Sequence, residues 1–242
     1  MSGDLACSGA RGPLAALLFG GAGLPAAAKL SALSASIDAF SLINDDHAES
    51  GCAELLRDGL IFDIAVLAGG TKRASPAAVC RVALPPEFSL TEREAAWFLV
   101  GPHLAGAENL LPVLRVAAGI LRHLPELEGV EAIVWRPARI VMSPVWFVEA
   151  VDIRLAGGPF PALARTPDSL RSEGLAFLIG QKLTLWARES GPSREDSRTA
   201  VRLTDWLFAH GRVDTSREAV MAGVGAVWLE PEGPNMLNAR LR

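Results

Sequence analysis

Arg136 and Arg139 lie inside one of the most apolar stretches of the chain, "VEAIVWRPARIVMSPVWFVEAV", residues 130 to 151. Charged side chains are seldom placed in such a run unless they reach water or a partner. Pro137 between them cannot donate to a sheet ladder, so a strand should end, bulge or lie at an edge there. Ser143 followed by Pro144 is a good N-cap and first-turn pair. Two guanidinium groups beside a helix N-terminus would suit a carboxylate or phosphate. The plainer reading lets both arginines snorkel to solvent or pair with Glu131 and Glu149.

A second constellation is "FGGAGLPAAAK". Gly21, Gly23 and Ala26 fit G-x-G-x-x-[GA], after an apolar run and before a helical one, with Asp45 and Asp46 at the distance of a ribose-binding acid. Pro25 removes one amide donor, and a plain glycine turn accounts for the same letters. "DDHAESGC" places Asp45, His47 and Cys52 within reach of a metal. Its His-x-Glu lacks the P-C-x-x-C partner of a zinc deaminase, and a solvated loop explains it as well. His103 in "VGPHL" follows a strand-like run, where loops often carry function. The sequence holds no G-x-S-x-G, G-x-x-x-x-G-K-[ST] or H-E-x-x-H, so no catalytic residue is assigned and no cofactor or metal is expected.

These residues need elements to hold them. "PLAALLFG" reads as a buried strand, followed by a helix with Leu30, Leu33 and Ile37 on one stripe. "AFSLIN", "LIFDIAVLAGG" and "AAVCRVALP" read as three further strands. The pattern then restarts: a capping box in "SLTE", a strand in "AWFLVGPH", a helix from Asn109 to Leu124, the strand "VEAIVW" and a helix from Pro144. "FPALARTP" reads as extended and "GLAFLIGQKLTLWA" as one strand with a bulge at Gly180. Ser193 with Asp196 opens a helix ending at His210 and Gly211. "AVMAGVGAVWLEP" reads as a single closing strand, with nothing structural expected past Glu230. Trp135, Trp146, Phe147, Trp186 and Trp206 are expected in the core, with an interface as the second reading.

The element order predicts an α+β fold: two ferredoxin-like βαβ-type halves, a mainly antiparallel sheet and helices packed on it. Residues 1 to 12 read as a disordered tail. Residues 13 to 242 read as one compact domain with pseudo-equivalent halves at about 13–88 and 89–232.

The 242 residues are half apolar and carry a formal net charge of −4, which leaves no electrostatic footprint for nucleic acid. Cys7, Cys52 and Cys80 form no C-x-x-C and read as reduced thiols of a cytoplasmic protein. No apolar run is long enough for a membrane span. "RGPLAALLFGGAGLPAAA" loosely mimics a signal peptide, but Asp4 and the glycines argue against export. The expected partners are another protein, a small anion or a second copy of the chain as a homodimer.

Three stretches resemble a known family: "AIVWRPARIVMSPVWFVEA", "LRSEGLAFLIGQKLTL" and "SREDSRTAVRLTDWLFAHG". They are similar to the bacterial family called domain of unknown function four-two-six-one, over about residues 95 to 230. The resemblance implies a soluble bacterial α+β protein and brings no catalytic residues. The function expected is a non-enzymatic interaction or structural domain. The alternative is a nucleotide- or anion-binding enzyme using the Gly21/Gly23 turn or the Arg136/Arg139 region.

Overall fold

The computed structural model describes residues 12–21, 23–44, 51–65, 76–78, 80–154, 161–188 and 191–242. Residues 1 to 11 of the expected tail, the loop holding Asp45, Asp46 and His47, and the glycines at 69–70 lie outside the described residues. The fold is α+β, with two mostly antiparallel sheets and few helices.

The chain divides into two compact units: 1–136 with 140–159, and 137–139 with 160–242. The pattern restart near residue 90 falls inside the first of these units, whose strands join across it.

The first unit holds β1 (Ala15–Phe19), α1 (Ala27–Ser36), β2 (Ser41–Asn44), β3 (Cys52–Arg57), β4 (Leu60–Ala65), β5 (Cys80–Val82), β6 (Glu94–Val100), α2 (Leu111–Leu121), β7 (Val130–Trp135), β8 (Ile140–Met142) and α3 (Pro144–Arg154). The eight strands are ordered β2-β3-β4-β6-β1-β7-β8-β5. All neighbours are antiparallel except β5 and β8. Since β6 and β7 both run antiparallel to β1, they are parallel to each other, and α2 is their crossover.

Both faces of this sheet are covered, so β1 is buried at every position. One face carries Ala16, Leu18, Trp97, Leu99, Val134 and Val141, closed over by Phe88 with Leu84 and Leu90 from the preceding loop. The other carries Leu17, Ile133 and the stacked pair Phe62–Phe98, centroids 5.3 Å apart. Arg57 Nη1 donates to the Gly119 carbonyl at 2.7 Å and so ties α2 to the sheet. Two-sided cover explains why these strands read as continuous apolar runs rather than alternating ones.

The second unit holds β9 (Ala162–Arg165), β10 (Ser169–Glu173), α4 (Leu175–Ile179), β11 (Lys182–Trp186), α5 (Arg194–His210), β12 (Arg217–Met221), β13 (Gly225–Glu232) and β14 (Met236–Leu241). Its sheet is ordered β12-β13-β14-β11-β10-β9, with β11 and β14 parallel. Leu170, Leu183, Leu185, Val227, Leu229, Leu237 and Ala239 pack with Leu203 and Leu207 of α5 into one core. The Ser193–Asp196 capping box forms as expected.

Several expectations are corrected here. "GLAFLIG" is a helix, not a strand: Gly174 (φ 90°) and Gly180 (φ 76°) take left-handed conformations that stop the neighbouring strands and bracket one helical turn. "AVMAGVGAVWLEP" is the hairpin β12–β13. The run past Glu230 is an inner strand, β14. "SLTE" starts no helix: Ser89 Oγ meets Thr91 Oγ1 at 3.1 Å in a turn. Asn109 caps nothing, since Leu110 occupies that position without a side-chain bond.

Candidate functional site

The sequence-derived candidates are placed apart and given separate duties. Arg136 directly follows β7, and its amide donates to the Leu14 carbonyl at 3.0 Å. Its Nη1 donates to the Pro13 carbonyl at 2.9 Å, and its guanidinium lies 5.6 Å from the centroid of the Trp97 ring. Burial pulls its pKa below the ordinary guanidinium value. Arg136 is thus a clamp on the strand entering β1. Arg139 is exposed in the β7–β8 turn, with a left-handed φ of 52°. Ser143 Oγ accepts the Trp146 amide at 3.3 Å, so it caps α3. The acid Glu131 pairs with Arg93 at 2.8 Å, not with Arg136.

Pro144 lines a groove of about 470 Å³ between the ends of α2 and α3, together with His123, Glu126, Val145, Val148 and Glu149. Arg122 beside it is paired with Asp152 at 2.8 Å, and His123 Nδ1 is 3.4 Å from Glu126 Oε1. Arg122 is thus already matched by Asp152 and Glu149 adds a negative charge, so the groove offers no unpaired arginine to an anion.

The glycine turn is equally unsuited to pyrophosphate. A Cβ at Gly20 would collide with the Glu131 carboxylate, and one at Gly23 would lie 3.5 Å from Glu94 Oε2. Gly21 has open space around it. The Glu131 carboxylate, paired with Arg93, fills the space beside Gly20, and β1 has antiparallel neighbours on both sides, unlike a dinucleotide-binding sheet. His103 Nε2 accepts the Ile61 amide at 3.3 Å, a loop-to-strand tie. Cys52 is buried in β3 and Cys80 half-buried in β5. Among the described residues no group of His, Cys, Asp and Glu is arranged to hold a metal, and no helix is long and apolar enough to cross a membrane.

The second unit presents a different surface. Its helices pack on the Leu183–Leu185 face of the sheet. The opposite face carries Trp228, Arg240 and Trp186 side by side. Trp228 is the register partner of Arg240 across β13–β14, and Arg240 that of Trp186 across β14–β11. Paired residues share a face, so three strands set an indole, a guanidinium and an indole in one row. Glu218 extends the row on β12, and Val220, 72 % exposed, lies on the same face opposite Ala226.

The indoles are held in place. Trp186 Nε1 donates to Asn238 Oδ1 at 3.1 Å, and Asn238 Nδ2 donates to Glu232 Oε2 at 2.8 Å. The Arg242 guanidinium lies 4.6 Å from the Trp228 ring centroid and is 3.4 Å from Glu218. Trp186, Ala187, Arg188, Arg240 and Leu241 line a cleft of about 330 Å³ where β11 and β14 end. Arg240 is exposed, and its side chain makes no hydrogen bond or ion pair among the described residues. The tryptophans divide accordingly: Trp97 and Trp135 are core, while Trp186 and Trp228 remain partly open. Period-two alternation in "AVWLEPE" and "MLNARL" was the available signal: Val227, Leu229, Leu237 and Ala239 go inward, so Trp228 and Arg240 go outward.

A scan against protein-family models, a search of curated proteins and a search of solved structures each give no match for this chain.

Proposed function

We propose that the protein is a non-enzymatic interaction module of the bacterial cytoplasm that binds a protein partner through the outer face of its second sheet. One observation carries this reading: the in-register row Trp228–Arg240–Trp186, with Arg240 unengaged between two oriented indoles. Trp and Arg are the side chains most enriched at binding hot spots. Fixed indoles lose little freedom on binding, so contact area there converts well into affinity. The first unit then serves as a ferredoxin-like scaffold, a reading supported by the β6–α2–β7 crossover around β1. The bacterial assignment rests on the resemblance of residues 95 to 230 to domain of unknown function four-two-six-one.

The test is quantitative affinity purification from the native cell, comparing wild type with the double variant Trp228→Ala/Arg240→Glu. Both side chains point away from the core, so the variant should stay folded, with a melting temperature lowered only by the lost Trp228–Arg242 contact, and circular dichroism checks this before the comparison. The proposal expects a small set of proteins retained by wild type and lost with the variant. Identical sets from both proteins would overturn it.

A further inference from the structure

We infer that the cleft at the ends of β11 and β14 takes a carboxylate from an acidic segment of the partner protein, with an apolar side chain of that segment lying on Trp228 and Val220. This rests on the interaction reading above and adds the chemistry of what is bound.

The charges on the face point this way. Glu218 is already matched by Arg242, and Glu232 is bonded by Asn238. Arg171, Lys182 and Arg240 are exposed and have no acidic partner among the described residues. Glu173, Glu230 and Glu232 lie on the same face, so the face as a whole is close to charge balance and its unmatched positive charge is local, at the cleft where Arg188 and Arg240 meet. In the cleft itself two guanidiniums come together. Arg188 donates from Nη2 to the Arg242 main-chain oxygen at 3.2 Å, which orients its fork. The Arg240 side chain makes no such bond among the described residues. Two like charges lining one cleft favour the arrival of an anion, and a planar fork matches a carboxylate with paired hydrogen bonds. Beyond the cleft, the Trp228 ring and Val220 offer apolar area to a neighbouring side chain.

An acidic peptide fits better than a nucleic-acid strand. Glu218, Glu230 and Glu232 share the face with these cations and would repel a continuous line of phosphates. Separate carboxylates interleaved with apolar groups avoid those acids.

The test uses the full chain and the indole N–H resonances of its six tryptophans, assigned by single Trp→Phe variants. Four probes are titrated: a capped octapeptide alternating Glu and Leu, its Gln–Leu and Lys–Leu counterparts, and an oligothymidylate. The inference expects the Glu–Leu peptide to move the Trp186 and Trp228 resonances, Arg240→Gln to weaken that binding about tenfold, and Arg139→Gln to leave it unchanged. Equal binding of the Gln–Leu peptide, preference for the Lys–Leu peptide, or tighter binding of the oligothymidylate would each overturn it. Should no peptide bind while affinity purification still finds partners lost in Trp228→Ala/Arg240→Glu, the carboxylate inference falls and the interaction reading stands. Should both fail, both fall.

Discussion

Replacing Arg136 by methionine keeps an unbranched stem and removes only the guanidinium. That group donates to the Pro13 carbonyl at 2.9 Å and lies over the Trp97 ring at 5.6 Å. A hydrogen bond from a charged donor contributes about 1.5–3 kcal/mol, and a partly exposed cation–π contact about 0.5–1 kcal/mol. Pro13 is only half-buried, so water can replace part of the bond, and we expect a net loss of about 2 kcal/mol. For a unit of this size that lowers the melting temperature by about 4–8 °C. The assay is thermal unfolding followed by near-ultraviolet circular dichroism, with urea unfolding as a check on the free energy. Arg139 is the internal control. It is exposed, with φ 52°, and Arg139→Gly relieves a left-handed conformation, so it should leave stability unchanged or raise it by up to about 1 kcal/mol. A methionine variant as stable as wild type, alongside a damaging Arg139→Gly, would refute the division of labour drawn here.

Gly59→Ala should destabilise the β3–β4 hairpin by about 1–2 kcal/mol in urea unfolding, because Gly59 holds φ 75° in a two-residue turn with Asp58 at φ 50°. Ser193→Ala should cost about 1 kcal/mol by the same assay, since it removes the hydroxyl that accepts the Asp196 amide at 3.0 Å. Lys29 hydrogen-bonds Glu128 and, chiefly by that bond, holds its carboxyl below the ordinary glutamate value. A depressed carboxyl pKa adds stability above the unfolded value and loses it as pH falls through the folded one. Lys29→Met should therefore move the Glu128 carboxyl titration, read by carbon NMR, upward. A thermal-shift series with NAD, NADP, ATP and FAD should show no stabilisation, whereas a true ligand at a hundredfold its dissociation constant adds about 2.7 kcal/mol.

The elements that sequence reasoning captured have a strong local cause. The Ser193–Asp196 box fixes the start of α5 and His210–Gly211 its end, and Ser143 caps α3 as its Ser-Pro spacing suggests. The elements it misread have non-local or masked causes. "LLRDGLIF" contains an Asp-Gly turn between apolar runs, a direct hairpin signal, but Glu54 and Arg57 of β3 interrupt its apolar pattern. β14 carries only Leu237, Ala239 and Leu241 as its inward apolar set, too little to stand out, and becomes an inner strand through pairing with β13 and β11. At the site, the arginines of the apolar stretch contrast with their neighbours in sequence. Arg136 has a structural duty there, its bond to the Pro13 carbonyl, while Arg139 is exposed in the turn that follows. Arg240 and Trp186 are 54 positions apart, and only the parallel pairing of β11 with β14 makes them neighbours.

Photo-cross-linking in the native cell tests the central claim most directly. A benzophenone amino acid replaces Val220 on the outer face of the second sheet, or Leu110, 53 % exposed in the first unit, as the control. The account predicts a discrete protein–protein product from position 220 that disappears on adding Arg240→Glu, and no such product from position 110. A product to a second copy of this chain would identify the partner as itself. The same product from position 110, or an unchanged product from position 220 in the presence of Arg240→Glu, would contradict the account.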